Sequence, residues 1–306
     1  MKEYISKENL KQINFKDLIK IWNKTDEILE NFENQPKIVA KVFYEATKKQ
    51  LNEIYNNPYK KDLGLVEGYN LDLHTKIVIN QFAKFYPQFK EVLQNNIFNL
   101  KDFLTLLTIH DIGKVDEEVQ ELKKNNVAKK IWKNKEIEKT EEMAKEILGN
   151  LFSKDQNKDK KNSVALWLLG EGSQNFGALL NNFYPVDKFT NEIKEITKIT
   201  GGSEEKIFDL LEMYLACDAS AYTSSAISDF ENEINQNTNL NSKTEEKGKE
   251  KKYEKIKKRY DENGEGGPGN GVNKWFKQSN NEIKFTGKFK DLDMEKKIQE
   301  IREKLK

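Results

Sequence analysis

The chain contains two histidines, His74 and His110, and the second is followed directly by Asp111. A further aspartate, Asp218, lies far downstream in Leu-Ala-Cys-Asp-Ala-Ser, residues 215–220. All three segments are otherwise apolar and of helical character. An ionisable group in such surroundings is costly unless something pairs with it, and a divalent cation is a natural partner. Two imidazoles and two carboxylates make a borderline-hard nitrogen–oxygen donor set. It suits one divalent ion of Mn, Fe, Co, Ni or Zn, and Mg less well. Four protein ligands leave an octahedral ion two open positions. One can hold water, whose pKa falls on coordination, and the other a phosphoryl oxygen, which the ion polarises. In-line attack of the resulting hydroxide on phosphorus is the chemistry such a site offers.

Helices must bring these residues together. Asn70 is a suitable N-cap for a helix reaching about Phe85, with Pro87 expected to stop it. On it His74, Ile77, Val78, Gln81, Phe82 and Phe85 share one face, so His74 points inward. A second helix is expected from about Leu100 to Ile112, closed by Gly113. Neighbouring residues on a regular helix point roughly 100° apart, so His110 and Asp111 can share an ion lying between them near the helix end. Ser203 caps a third helix running to about Ile227, on which Leu211, Tyr214, Leu215, Asp218 and Tyr222 share a face. The small residues Ala216, Ala219 and Ala221 allow it to pack closely.

His74, then His110-Asp111 within His-Asp-Ile-Gly-Lys, then a distal Asp218, in that order on helices, resembles the H…HD…D signature of the HD superfamily of metal-dependent phosphohydrolases. The resemblance covers about residues 65–225. It implies an all-α helical bundle and a metal site of His74, His110, Asp111 and Asp218, with Asp111 and Lys114 in catalytic roles. By the same resemblance Lys114 stands where the lysine of several branches contacts substrate phosphate or protonates a leaving group. The deoxynucleotidase branch carries a glutamate there, which argues against that branch. Two-metal branches add histidines before the last aspartate; this chain has none, and Gly170-Glu171-Gly-Ser173 falls in their place. One metal is therefore expected unless Glu171 substitutes as a carboxylate, and the cyclic-dinucleotide and CRISPR nuclease branches lose weight. The implied substrate is a phosphorylated small molecule, in particular a nucleotide or cyclic nucleotide, cleaved at a phosphomonoester or phosphodiester bond. Two alternatives stand beside it: an HD-type nuclease on single-stranded nucleic acid, and a non-catalytic module that binds metal or nucleotide.

Several residues admit plainer readings. Lys114 after Gly113 is equally a cation at a helix C-terminus. Glu67 and Asp72 can orient His74 from outside the ligand set, or serve as loop and first-turn acids. Glu171 is also readable as a solvent-facing or capping residue, and Cys217 as a small core residue.

Bulk properties bound the rest. Of 306 residues, 36% are hydrophobic and 34% charged, so part of the chain is expected to lie outside any core. Lys and Arg total 52 against 51 for Asp and Glu, which makes no case for nucleic acid or an acidic membrane. A single cysteine excludes an intramolecular disulfide and a cysteine-rich zinc site. No stretch approaches the roughly 18 to 20 apolar residues that span a bilayer, and the charged N-terminus lacks a signal-peptide core. The expectation is a soluble, cytoplasmic protein. Residues 1–64 read as a helical extension packing on the core, and 65–231 as the metal-binding helical domain. Residues 232–273 read as a low-complexity linker or flexible insertion, and 274–306 as a tail with a short strand pair or loop followed by a terminal helix. Lys154 to Asn162 reads as a polar loop. No phosphate-binding glycine loop precedes a helix, and both histidines have a better use than a serine triad.

Overall fold

Phe82 is fully buried where three parts of the chain meet. Its ring centroid lies 6.0 Å from that of Phe32, 6.1 Å from Phe89 and 5.3 Å from Phe103. Each such ring contributes about 2–3 kcal/mol by leaving water, so this cluster fixes the mutual placement of the first helices. The computed structural model describes residues 26, 29–55, 58–60, 70–223, 225–229, 276–279, 282–285, 288–289 and 292–306. The expected linker over 232–273, the first 25 residues and Glu67 lie outside the described residues.

The fold is an all-α helical bundle. Helix α1 (Pro36–Ile54) starts with proline in its first turn, where the missing N–H has no helical partner to lose. It lies along α2 (Leu71–Gln94) and reaches α3 (Leu100–Ile109), so the described part of the N-terminal extension packs on the core. A 3-10 turn at Ile112–Val115 leads into α4 (Glu117–Lys124) and α5 (Lys129–Leu151). Then come α6 (Lys158–Trp167), a π-helical turn (Leu168–Gly172), α7 (Ser173–Leu180), α8 (Val186–Thr200) and α9 (Glu204–Ser220). Helix α9 packs along α2. No helix among the described residues is long and apolar enough to cross a membrane.

Four boundaries differ from the sequence reading. Pro87 lies inside α2, not at its end. Its missing hydrogen bond and ring clash cost about 3 kcal/mol, which is offset by the buried face Phe82, Phe85, Phe89 and Leu93 running through it. Helix α3 ends at Ile109, before the His-Asp pair. Residues 158–162 belong to α6, where Lys161 reaches inward to Asp102 at 2.6 Å. Helix α9 stops at Ser220, because the Thr223 hydroxyl and N–H both donate to its carbonyl, at 2.7 and 3.0 Å. A helical turn resumes at 225–229.

The tail returns to the bundle. It forms the short antiparallel pairs β1 (Lys277–Gln278) with β2 (Ile283–Lys284) and β3 (Lys288–Phe289) with β4 (Leu292–Asp293), then α10 (Met294–Lys304). Gln88 on α2 bonds both the N–H and the C=O of Ile283. Phe285 packs on Phe176 at 5.8 Å, and Arg302 pairs with Asp209 and Glu212 of α9 at 2.7 and 2.6 Å. The first strand pair, one of the two alternatives left open by the sequence, and the expected terminal helix are thus docked against the two helices that carry His74 and Asp218.

Candidate metal centre

His74 comes from the first turn of α2, which the Asn70 side chain caps by accepting from the Leu73 N–H at 2.8 Å. Asp218 comes from the last turn of α9, and His110 and Asp111 from the break after α3. A regular helix does not present that pair. Its last carbonyls are taken by side chains: His110 Nδ1 donates to Leu107 O at 2.6 Å and the Tyr59 hydroxyl donates to Thr108 O at 2.6 Å. With those acceptors satisfied the helix stops, and Asp111 adopts φ −117°, ψ 13°.

Gly113 does not close the helix with a left-handed residue. It is the point where the 3-10 turn touches α5. Its N–H donates to Thr140 Oγ1 at 3.2 Å, and a Cβ there would lie 2.5 Å from Glu136 O and from Thr140 Oγ1. Only glycine permits this approach, and the approach sets the position of Asp111 and Lys114.

The four predicted ligands converge. His74 Nε2 lies 3.1 Å from Asp218 Oδ1 and 3.3 Å from Asp111 Oδ2. His110 Nε2 lies 3.4 Å from each of the same two oxygens. Ligand atoms of His74, His110 and Asp111 all lie within 4.8 Å of one another; Asp218 joins them through its two imidazole contacts. Bonds of about 2.1 Å separate neighbouring ligand atoms by about 3.0 Å at right angles and about 3.4 Å in a tetrahedron. The observed separations span that interval. Both imidazoles are buried, whereas the Asp111 and Asp218 side chains keep 14% and 26% of their surface exposed, so the cluster opens to solvent on its carboxylate side.

Protonation adds a second test of fit. A carbonyl only accepts, so the bond to Leu107 O puts a proton on His110 Nδ1. In the neutral ring Nε2 is then a lone pair facing two carboxylate oxygens, an acceptor against acceptors. A second proton on the ring, donated to Asp218, resolves that arrangement, and so would a cation between the three groups; a backbone-anchored Nδ1–H is the usual way a metal-binding histidine is oriented. Burial works against a charged His110, but Asp111 and Asp218 outweigh it and raise its pKa. Burial likewise opposes the Asp111 carboxylate; Lys114, His110 and His74 overcome it and hold its pKa at about 2. Asp218 is held well below the usual carboxylate range by hydrogen bonds from His110 and His74, against burial. With neutral imidazoles, two carboxylates face one ammonium. A divalent ion fits both the donor set and the charge.

Lys114 is buried, with Nζ 2.6 Å from Asp111 Oδ2. It sits in the 3-10 turn and points into the cluster, not out along a helix terminus. Asp72 does not reach His74. Its carboxylate accepts from the Tyr44 hydroxyl, Lys48 and Lys76 at 2.9, 2.8 and 2.8 Å, tying α2 to α1. Glu171 is exposed on the π-helical turn, and the charges that act with it are Glu141 and Lys188. It does not join the cluster. Sequence reasoning does not single out Tyr222 as a site residue, yet its hydroxyl lies 3.2 Å from His74 Nε2. Its spacing of four from Asp218, one helical turn, is the signal that could have found it. Tyr59, which closes the end of α3, gives none.

No family model, curated protein or solved structure matches the chain.

Proposed function

We propose that this chain is a metal-dependent phosphohydrolase of the HD type, cleaving a phosphomonoester or phosphodiester bond in a nucleotide or cyclic nucleotide. The observation that carries the reading is the meeting of His74, His110, Asp111 and Asp218 at 3.1–3.4 Å, with Lys114 on Asp111. One divalent ion held there supplies Lewis-acid polarisation of a phosphoryl group and a water of lowered pKa. His74 and His110 present nitrogen lone pairs, and Asp111 and Asp218 balance the charge. Leu107 O fixes the ring of His110. Lys114 holds Asp111 in place and puts a positive charge beside the reacting phosphate, where such charge lowers the barrier most.

The test is a panel of nucleotides and cyclic nucleotides assayed with Mn²⁺, comparing wild type with Asp111→Ala. Turnover in wild type that vanishes in the variant supports the reading. Equal turnover, or none in either, counts against it.

A second reading, a nuclease on single-stranded nucleic acid, draws on the corner between α4 and α5. Lys124, Lys129 and Lys130 are exposed there, and no acid interrupts the sequence from Glu121 to Glu136. Such a corner suits a phosphate backbone. Cleavage of a labelled oligonucleotide, abolished by His110→Ala, would promote it over the first.

A further inference from the structure

The docked tail leaves room between itself and the bundle. A cavity of about 310 Å³ lies between α2, α9, β2 and α10, within the range of small-molecule sites. Its walls are mainly apolar: Phe89 and Val92 of α2, Met213 and Ala216 of α9, Phe285 of the tail and Ile298 of α10. Residues two apart on a helix face nearly opposite ways, so Asp218 projects from the other side of α9 from Ala216. The cavity and the metal cluster therefore lie on opposite sides of that helix.

Charge in the cavity is uneven. Asp209 and Glu212 share one guanidinium nitrogen, Arg302 Nη2, at 2.7 and 2.6 Å. Glu295 adds a third carboxylate, and Lys284, also on the wall, pairs with Glu282 at 2.7 Å. Three carboxylates thus face one guanidinium that two of them already share. Burial acts most strongly on the Glu212 carboxylate and Arg302 does not offset it, so its pKa is raised. A second cation beside Glu212 relieves that cost, whereas an anion would meet the carboxylates and an Arg302 already engaged. We propose that the cavity is a binding site for a small organic amine. An apolar body of one or two rings fills the space beside Met213, Ala216 and Phe285, and its ammonium group donates to the Glu212 carboxylate. Because the tail forms one wall, the site is complete only while the tail is docked.

The experiment is a calorimetric titration of the full chain with tryptamine, an indole carrying an ammonium group, and with indole-3-propionate, the same ring carrying a carboxylate. Wild type binds tryptamine about ten-fold or more tightly than the propionate, and Glu212→Gln weakens tryptamine about ten-fold, the worth of one charge-assisted hydrogen bond. Leucine at position 216 grows into the cavity, so Ala216→Leu melts no lower than wild type and loses tryptamine binding. Wild type that does not bind tryptamine, or that binds the propionate as well or better, overturns the proposal. So does tryptamine binding that Ala216→Leu leaves unchanged. A destabilised Ala216→Leu overturns it too, since the space is then not there. These outcomes decide the matter even if Glu212→Gln fails to fold, and no Mn²⁺ is present, so they are independent of the metal-centre reading.

Discussion

His74 Nε2 and Asp218 Oδ1 meet at 3.1 Å across 144 residues of sequence. The contact joins the first turn of α2 to the last turn of α9, two helices that pack along each other and are bracketed by the docked tail. Asp218 is held ionised by His110 and His74, so its charge is available to an ion without prior loss of a proton. Asp218→Asn keeps the shape and removes the charge. Its Mn²⁺ affinity is expected to fall about a hundred-fold or more, while far-ultraviolet circular dichroism stays that of wild type. Mn²⁺ at about a hundred times the wild-type Kd stabilises wild type by about 2.7 kcal/mol of linkage and the variant by about 0.4 kcal/mol or less, and the melting temperatures shift accordingly. An unchanged affinity would remove Asp218 from the ligand set.

Gly113 and Thr140 fix the second half of the site. A methyl group at Gly113 would press into the α5 backbone at Glu136 and Thr140. Gly113→Ala is therefore expected to cost about 2–3 kcal/mol in urea unfolding and to weaken Mn²⁺ binding, since Asp111 moves with the turn. Gly149 lies on the same helix as Thr140, and a Cβ there would meet nothing within 4 Å. Gly149→Ala should instead add about 0.5–1 kcal/mol by helix propensity and reduced unfolded-chain freedom. Matching effects from the two variants would show that the close approach at Gly113 is not what constrains it.

The quartet is legible in the sequence because its members are chemically rare in their surroundings: both histidines, and one aspartate among small and apolar residues, sit at inward positions of helical runs. The Asn70 and Ser203 caps are legible from local chemistry, and the side chains bond the Leu73 and Lys206 N–H groups as expected. What escapes the sequence depends on distant partners. The end of α3 is set partly by Tyr59, 49 residues from the carbonyl it caps. Pro87 obeys its local rule only where no buried face overrides it. The purpose of Gly113 needs α5 in place, and the exposure of Glu171 needs the π-helical turn. Asp72 is a neighbour of His74 by sequence, but residues two apart on a helix face nearly opposite ways.

Asp72 yields a prediction in pH. Burial works against its carboxylate, but Lys76 and Lys48 outweigh burial and lower its pKa. A carboxylate lowered on folding stabilises the fold above the ordinary aspartate value of about 3.9, and that stability is lost as pH falls through the lowered value. The side chain is 22% exposed, so solvent screens part of the effect. Asp72→Asn should lower stability by about 1 kcal/mol at pH 7, with the gap to wild type closing as pH falls below about 4. Denaturant titrations at several pH values check this, and a gap independent of pH would mean that charge is not the source.

Lys114 separates binding from chemistry. Its ammonium lies 2.6 Å from Asp111 Oδ2 inside the protein, so in the metal-free state it is the principal counter-charge of that carboxylate. Lys114→Met leaves the carboxylate without it, at a cost on the order of 3 kcal/mol for a broken buried pair. A divalent ion on Asp111 restores the missing charge. Mn²⁺ should therefore raise the melting temperature of Lys114→Met by more than that of wild type. Hydrolysis should still fall about a hundred-fold or more, because the ion replaces the lysine as a partner of Asp111 but not as a donor to the substrate phosphate. A variant with full turnover would reduce Lys114 to a structural counter-ion. One that binds Mn²⁺ no better than its metal-free stability predicts would mean that ion and lysine do not share Asp111.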